Sequence, residues 1–312
     1  MNTNTICAVV VTYNRKELLK KCLEALLCQT YQLDKILVID NHSTDGTRKM
    51  LEQEFSSTIV EPVFLEMNTG GAGGFFYGLK KGYELGYDWL WILDDDTIPK
   101  SDCCEQIFIA KDQINDREKL SFLASSIYGP KGEFMNVPII DNSPSVNGYP
   151  GWYRYLDNKM VRIKAATFVS IFINRSAISK CGFPCKEFFI WGDDSEYTMR
   201  LTQYYGSAYM VGGSQAVHLR TDTRVLSIDN ENNLNRIKMF HYFFRNTFIY
   251  RRYYNDTVSQ RLKNVKVVLN GLKLLRGKNG YIKFYEILKG YLESICDYKK
   301  FKNLIDRQIR DV

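Results

Sequence analysis

From residue 6 to residue 93 the chain alternates between two periodicities, and few folds accept that pattern. Apolar segments within 6–14, 35–40, 61–66 and 89–93, the last of them unbroken, read as strands. Between them, residues 15–27, 47–55 and 72–85 read as helices. The first of these sets Leu18, Leu19, Cys22, Leu23, Leu26 and Leu27 at helical spacing. Strand, helix and strand in regular succession predict a parallel, doubly wound α/β sheet.

The last of the four strands ends in the most informative stretch, Asp88-Trp-Leu-Trp-Ile-Leu-Asp-Asp-Asp-Thr-Ile-Pro99. Pro99 would stop any strand running through it. Side chains at i and i+2 of a strand share a side, so Asp94 and Asp96 converge while Asp95 points away. Crowded carboxylates repel, and a divalent cation relieves the repulsion by taking hard oxygen ligands. Open α/β sheets collect ligands at the carboxyl ends of their strands, where this triplet falls. An acidic turn or helix cap is the plainer alternative.

Two familiar nucleotide sites are absent. A dinucleotide fingerprint needs G-x-G-x-x-G directly after the first strand, but here that strand runs into Thr12-Tyr-Asn-Arg15. The glycines, Asn68-Thr-Gly-Gly-Ala-Gly-Gly-Phe-Phe76, follow the third strand with the wrong spacing, and no Gly-Lys-Ser/Thr closes a phosphate loop. Nucleotidyl transfer is disfavoured for the same reason. Eight scattered cysteines without a Cys-x-x-Cys pair argue against structural zinc and a disulfide framework. The first apolar run is too short for a signal peptide, and no segment is long enough to span a bilayer, so the default expectation is a cytoplasmic protein.

Residues 141–155 mix loop formers with aromatics. A strand over 165–174, a helix over 175–180 and a strand over 209–219 bearing His218 are expected next. Asp193 and Asp194 open a helix between the last two, where acidic residues suit the dipole. Charge divides the 312-residue chain. Residues 236–312 hold 18 Lys and Arg against 6 Asp and Glu, whereas the rest hold 24 against 29. The expected division is therefore a domain over 1–235 and a basic, aromatic region of two or three helices over 236–312.

The ordered set Val10-Val-Thr-Tyr-Asn-Arg15, Val38-Ile-Asp-Asn-His-Ser-Thr-Asp-Gly46, Asn68 with its glycines, Leu93-Asp-Asp-Asp96, Phe188-Phe-Ile-Trp-Gly-Asp-Asp194 and His218 resembles the inverting family-2 glycosyltransferases. It is most similar to their galactofuranosyltransferase branch, with bacterial rhamnosyltransferases close by. The resemblance covers roughly residues 5–250. It implies a GT-A fold, a mostly parallel sheet flanked by helices with a helical C-terminal region.

The resemblance also implies a donor of the UDP-galactofuranose or dTDP-rhamnose kind and a glycan or lipid-linked glycan acceptor in bacterial surface polysaccharide synthesis. Asp94, Asp96 and His218 would hold Mn2+ or Mg2+, which would clamp the donor diphosphate. Asp194 would be the base that takes the acceptor hydroxyl proton and Asp193 would orient the acceptor, or the two roles would exchange. Thr12, Asn14, Arg15, Asp40, Asn68, Gly70, Gly71, Gly73, Asp95 and Trp191 would line the nucleotide-sugar site. Asp40 can accept the N3–H of uracil or thymine, and the glycines allow close backbone approach. The alternative for Asp40 is a turn residue, for the glycines a turn before a helix, for His218 a structural histidine, and for Trp191 a core aromatic.

Tyr242, Arg245 and Asn246 form a Tyr-x-x-Arg-Asn pattern found in the same branch. Acceptors in that branch are commonly lipid-linked, so the basic tail is expected to meet anionic membrane, with a domain-closing or oligomer face as the alternative. No nucleic-acid motif is present, and the oligomeric state is left open. A non-catalytic module of the same fold is the rival class; two acidic clusters argue against it, since a binding module has no use for a base.

Overall fold

The computed structural model describes residues 4–220 and 222–309. It divides into two compact units, one formed by Met1–Lys186 with Asp194–Thr223 and the other by Glu187–Asp193 with Arg224–Gln308.

The first unit opens as β1 (Ile6–Thr12), α1 (Lys16–Leu27), β2 (Lys35–Asp40), α2 (Thr47–Glu54), β3 (Val60–Phe64), α3 (Gly70–Glu84) and β4 (Trp89–Asp94). It continues with β5 (Thr97–Pro99), α4 (Cys103–Lys111), β6 (Leu120–Tyr128), β7 (Phe134–Met135), β8 (Ile139–Ile140), β9 (Met160–Ala165), β10 (Ile171–Asn174), α5 (Arg175–Cys181), α6 (Asp193–Tyr204) and β11 (Ser207–His218). Among the described residues these strands form one 11-stranded sheet in the order β3-β2-β1-β4-β10-β6-β11-β9-β8, with β5 on β11 and β7 on β6. The first four strands are mutually parallel. β10 enters antiparallel between β4 and β6, and β11 returns parallel to β6, so the sheet is mixed beyond β4.

This is the GT-A arrangement of a partly parallel sheet covered by helices. β1 lies between β2 and β4, so the chain leaves it in opposite directions on its two sides. That reversal opens a crevice at the carboxyl ends of the strands. The register sets Thr12 level with Asp40 and Val11 level with Asp94, which brings the polar ends of three strands to that edge.

Alternate β1 residues feed two cores. Ile6, Ala8 and Val10 pack with Leu19, Cys22, Leu23 and Leu26 of α1, while Cys7, Val9 and Val11 pack with Phe75 and Leu79 of α3. α3 lies so close that a Cβ on Gly74 would meet Val11 Cγ1 at 2.4 Å, and one on Gly78 would meet Val9 Cγ1 at 2.3 Å. Six of the eight cysteines are buried.

The strand expected over 165–174 is formed only at 171–174, as β10, and β9, which ends at Ala165, was not expected. β9 pairs at the sheet's far side with β8 and β11 whereas β10 sits centrally beside β4, so the chain crosses between them over 166–170. Buried Ala166, Phe168 and Val169 make the crossing, so nothing in hydropathy marks it.

The second unit holds α7 (Leu234–Ile237), α8 (Phe240–Tyr254), α9 (Val258–Gly271) and α10 (Gly280–Gln308). Phe240, Phe244 and Phe248 of α8 pack with Ile287 of α10. Among the described residues, no helix is long and apolar enough to cross a membrane.

Candidate active site

β4 is buried until Asp94, and a turn then carries Asp95 and Asp96 back toward the sheet. β5 pairs with β11 so that Thr97 faces His218, and the Leu219 amide donates to the Asp96 carbonyl at 2.8 Å. These ladders bring together residues far apart in sequence: one ligand atom each from Asp94, Asp96 and His218 lies within 4.8 Å of the others.

His218 shows what this cluster is suited to. Its Nδ1 is 2.9 Å from Asn136 Oδ1, an oxygen that only accepts, so Nδ1 carries the hydrogen. Its Nε2 faces Asp96 Oδ1 at 3.0 Å. That carboxylate oxygen is buried and receives no aligned hydrogen bond. Two electron-rich atoms this close need a positive charge between them, either a proton on Nε2 or a cation. Two carboxylates and an imidazole nitrogen are a donor set that suits a divalent metal, and an outer carbonyl fixing the tautomer is the usual support for such a histidine.

Arg15 balances the cluster. Its Nη1 lies 2.8 Å from Asp96 Oδ2 and 3.1 Å from Asp95 Oδ1, and its side chain is half-exposed. Burial alone would lower the Arg15 pKa, but Asp95, Asp96 and Asp94 outweigh it and raise it. Burial likewise opposes charge on Asp96, yet His218 and Arg15 beside it hold that carboxyl below the usual range. Asp95 is different. Burial pushes its carboxyl up to about 6 despite the pull of Arg15 and of Thr12 Oγ1, which donates to Asp95 Oδ2 at 2.7 Å. Its side chain is thus engaged with Thr12 and Arg15.

The adjoining edge is built from short polar turns. Asp40 is buried at the end of β2 and its Oδ1 accepts from the Ser43 amide at 3.0 Å. Asn14, at φ 53°, accepts the Thr44 amide on Oδ1 at 2.7 Å, so its side chain is tied to the loop after β2. Asn68 Oδ1 accepts from Gly70 N at 2.8 Å, and Gly70 takes φ 72°. The sequence reading passed over Asn41, which is buried and pins this loop. Its Oδ1 accepts from Thr69 N at 2.8 Å and its Nδ2 donates to Gly70 O at 2.8 Å. Gly73 is accounted for by packing, since a Cβ there would meet Thr69 Oγ1 at 2.3 Å, whereas Gly71 has open space around it.

The acidic pair is reached through a strained loop. Phe189, Trp191 and Gly192 have φ of 66°, 60° and 87°. One α8 amide holds this loop: Asn246 Nδ2 donates to the carbonyls of Phe188, Ile190 and Trp191 at 3.0, 3.1 and 2.7 Å. Arg245 Nη2 reaches the Glu187 carbonyl at 3.1 Å, and its Nε holds Asn246 Oδ1 at 2.9 Å. Gly192 is required here, because a Cβ would add strain at positive φ and stand 3.1 Å from Asn246 Cβ. The loop delivers Asp193, buried, and Asp194, half-buried, to the start of α6, where Asp194 Oδ1 accepts from Ser195 N at 2.6 Å. The Trp191 ring packs on Phe240 with centroids 4.9 Å apart.

Comparison with known proteins matches residues 7–117 to the model of glycosyl transferase family 2. Over that segment the sequence is similar to that family. The galactofuranosyltransferase GlfT1 of Mycolicibacterium smegmatis is 39% identical over 99 residues, which cover 31% of this chain and 32% of that protein. The chain thus spans about a third of the length of the curated relatives it first matches. Among solved structures, GalNAc-T7 with UDP, GalNAc and Mn2+ superposes with a TM-score of 0.58 at 16% identity, over 97% of this chain and 59% of that one. S. aureus TarS 1–349 with UDP gives 0.54 at 13% identity, over 95% and 92%. At such identities the likeness speaks for the fold.

The matched segment contains Asp94, Asp95 and Asp96 but neither His218 nor the acidic pair. Three supporting residues went unassigned in the sequence reading: Asn136, Asn41 and Asn246 in its clamping role. Each acts through an amide on a turn or loop, and only the Arg-Asn spelling at 245–246 carried any signal.

Proposed function

We propose that this glycosyltransferase is inverting and metal-dependent. It would move a sugar from a UDP- or dTDP-sugar, UDP-galactofuranose first, to a hydroxyl of a glycan or lipid-linked glycan in bacterial surface polysaccharide synthesis. Residues 1–235 would be the catalytic domain, and 236–312 the region that meets the membrane or a partner subunit. The observation that carries the reading is the Asp94, Asp96 and His218 cluster at the carboxyl edge of a GT-A sheet. The GlfT1 likeness supports the donor class, and the UDP and Mn2+ bound to GalNAc-T7 support the kind of ligand.

Asp94, Asp96 and His218 are the residues that would hold Mn2+ or Mg2+. When bound, such a cation supplies Lewis-acid stabilisation of the charge that develops on the leaving diphosphate. Arg15 is half-exposed beside the aspartates and would share that phosphate charge. Asp40 would accept the base N3–H, with Thr12, Asn14, Asn68, Gly70, Gly71 and Gly73 shaping the nucleotide edge and Asp95 bracing Thr12 and Arg15. Asp194 would remove the acceptor hydroxyl proton while Asp193 orients that hydroxyl, and Trp191 would face the sugar.

An N3–H is common to uracil and thymine, so dTDP-rhamnose is the second donor to test. Nucleotide release from a panel of UDP- and dTDP-sugars, with and without Mn2+, tests the reading on wild type and on Asp94→Asn, Asp96→Asn and Asp194→Asn. The expected result is release from one donor class that each substitution lowers by at least about a hundredfold. Nucleotide binding without turnover on any donor, or full activity in all three variants, would overturn it.

A further inference from the structure

Helix α9 carries apolar residues on two sides. Its inward side holds Gln260, Asn264 and Gly271, all buried, and Val267 and Val268, packed on the Phe240 cluster, with Gln260 Nε2 donating to Asn264 Oδ1 at 3.1 Å. Its outward side carries Val258, Leu262, Val265 and Leu269, continued by Leu272 just past its end, and all five are exposed. Steps of four, three, four and three residues place them on one stripe along the helix. Leu262 and Leu269 keep 63% and 58% of their surface in contact with solvent. Isolated surface leucines need no explanation, but a continuous exposed stripe on a helix whose other side already packs in the core departs from the usual pattern of a surface helix.

The surrounding charge says what covers the stripe. No Asp or Glu occurs between Thr257 and Tyr285, while Arg261, Lys263, Lys266, Lys273, Arg276 and Lys278 are all exposed. Arg261 pairs with Asp256 at 2.8 Å. A second copy of this face would set one cationic rim against another, which disfavours self-association. With 14 residues, α9 is too short to span a bilayer. An anionic lipid surface meets both demands: the stripe enters the acyl boundary, and the Lys stems follow apolar surface while their ammonium groups stay among the headgroups.

We propose that α9 is a membrane-surface anchor that lies in the interface of an anionic bilayer with Val258, Leu262, Val265 and Leu269 facing the lipid. This names the face for the tail contact put forward above and depends on no step of the transfer reaction. The full chain is sedimented with vesicles of mixed phosphatidylglycerol and phosphatidylcholine, and with phosphatidylcholine alone. Wild type is expected to pellet with the anionic vesicles. Leu262→Glu/Leu269→Glu and Lys266→Glu/Lys273→Glu each weaken that binding by at least about tenfold. Thermal unfolding and nucleotide release from soluble donor stay at wild-type values in both variants, so loss of the anchor is distinguished from loss of the transferase. Equal pelleting of wild type and both variants, or no pelleting of wild type with anionic vesicles, would overturn the proposal. A wild-type dimer in light scattering that the leucine pair converts to monomer would assign the stripe to a second copy instead.

Discussion

The two acidic clusters of this protein are held in different ways. At the end of β4, backbone ladders do the positioning: β1 sets the level of Asp94, and the pairing of β5 with β11 brings His218 to Asp96. In the loop over 187–193 no ladder exists. Three positive-φ residues are held there by the side chains of Asn246 and Arg245, and each non-glycine in that conformation costs on the order of 1 kcal/mol. Position set by many cooperative hydrogen bonds survives the loss of one side chain. Position set by one amide does not. The metal side should therefore be sensitive mainly at its own ligands, and the acid side also at a residue that touches no substrate.

The comparison is tested most severely at Asp96. Asp96→Asn is expected to cut nucleotide release by at least about a hundredfold and to abolish Mn2+ binding in calorimetry. Asn246→Ala comes next, because it leaves a strained loop unheld. Its kcat should fall by about a hundredfold, as misplacement near 1 Å can cause, while Mn2+ affinity stays at the wild-type value. If Asn246→Ala lost metal affinity and kcat together, the two clusters would not be separately built.

A smaller effect is expected at Asn136, which touches His218 from behind. Asn136→Ala should weaken Mn2+ binding by about tenfold, read by calorimetry or by the Mn2+ EPR signal, as loss of a residue bracing a ligand does. Unchanged affinity would mean that the strands alone orient the imidazole. The mildest test concerns packing. Gly74→Ala should cost about 1–3 kcal/mol in chemical denaturation, because its Cβ meets Val11. Activity per folded molecule should be little changed. Gly71→Ala, with open space around it, should cost less.

Much of the first half could be read directly from the residues. β2 occupies the 35–40 run expected for it, and the other early elements shift by only one or two residues at their ends. The reason is physical: strands buried on both faces must be continuously apolar, and the helices covering them must repeat near 3.6. The same rule failed at 165–174. A buried crossover is as apolar as the strand it leads into, so 166–170 read as strand together with β10. The glycines after Asn68 were assigned to ligand approach, but Gly73 is also needed to clear Thr69, and Gly74 to clear Val11.

Composition and pattern were enough for the alternating sheet, the acidic ends of its strands and the basic tail, because burial and charge act on each residue through its own side chain. Which distant groups meet was decided by folding. Asn136 beneath His218, Asn246 under the Trp191 carbonyl and the outward stripe of α9 all depend on register and on helix rotation. Those follow from the summed packing of many residues, and no local stretch of chain contains that sum.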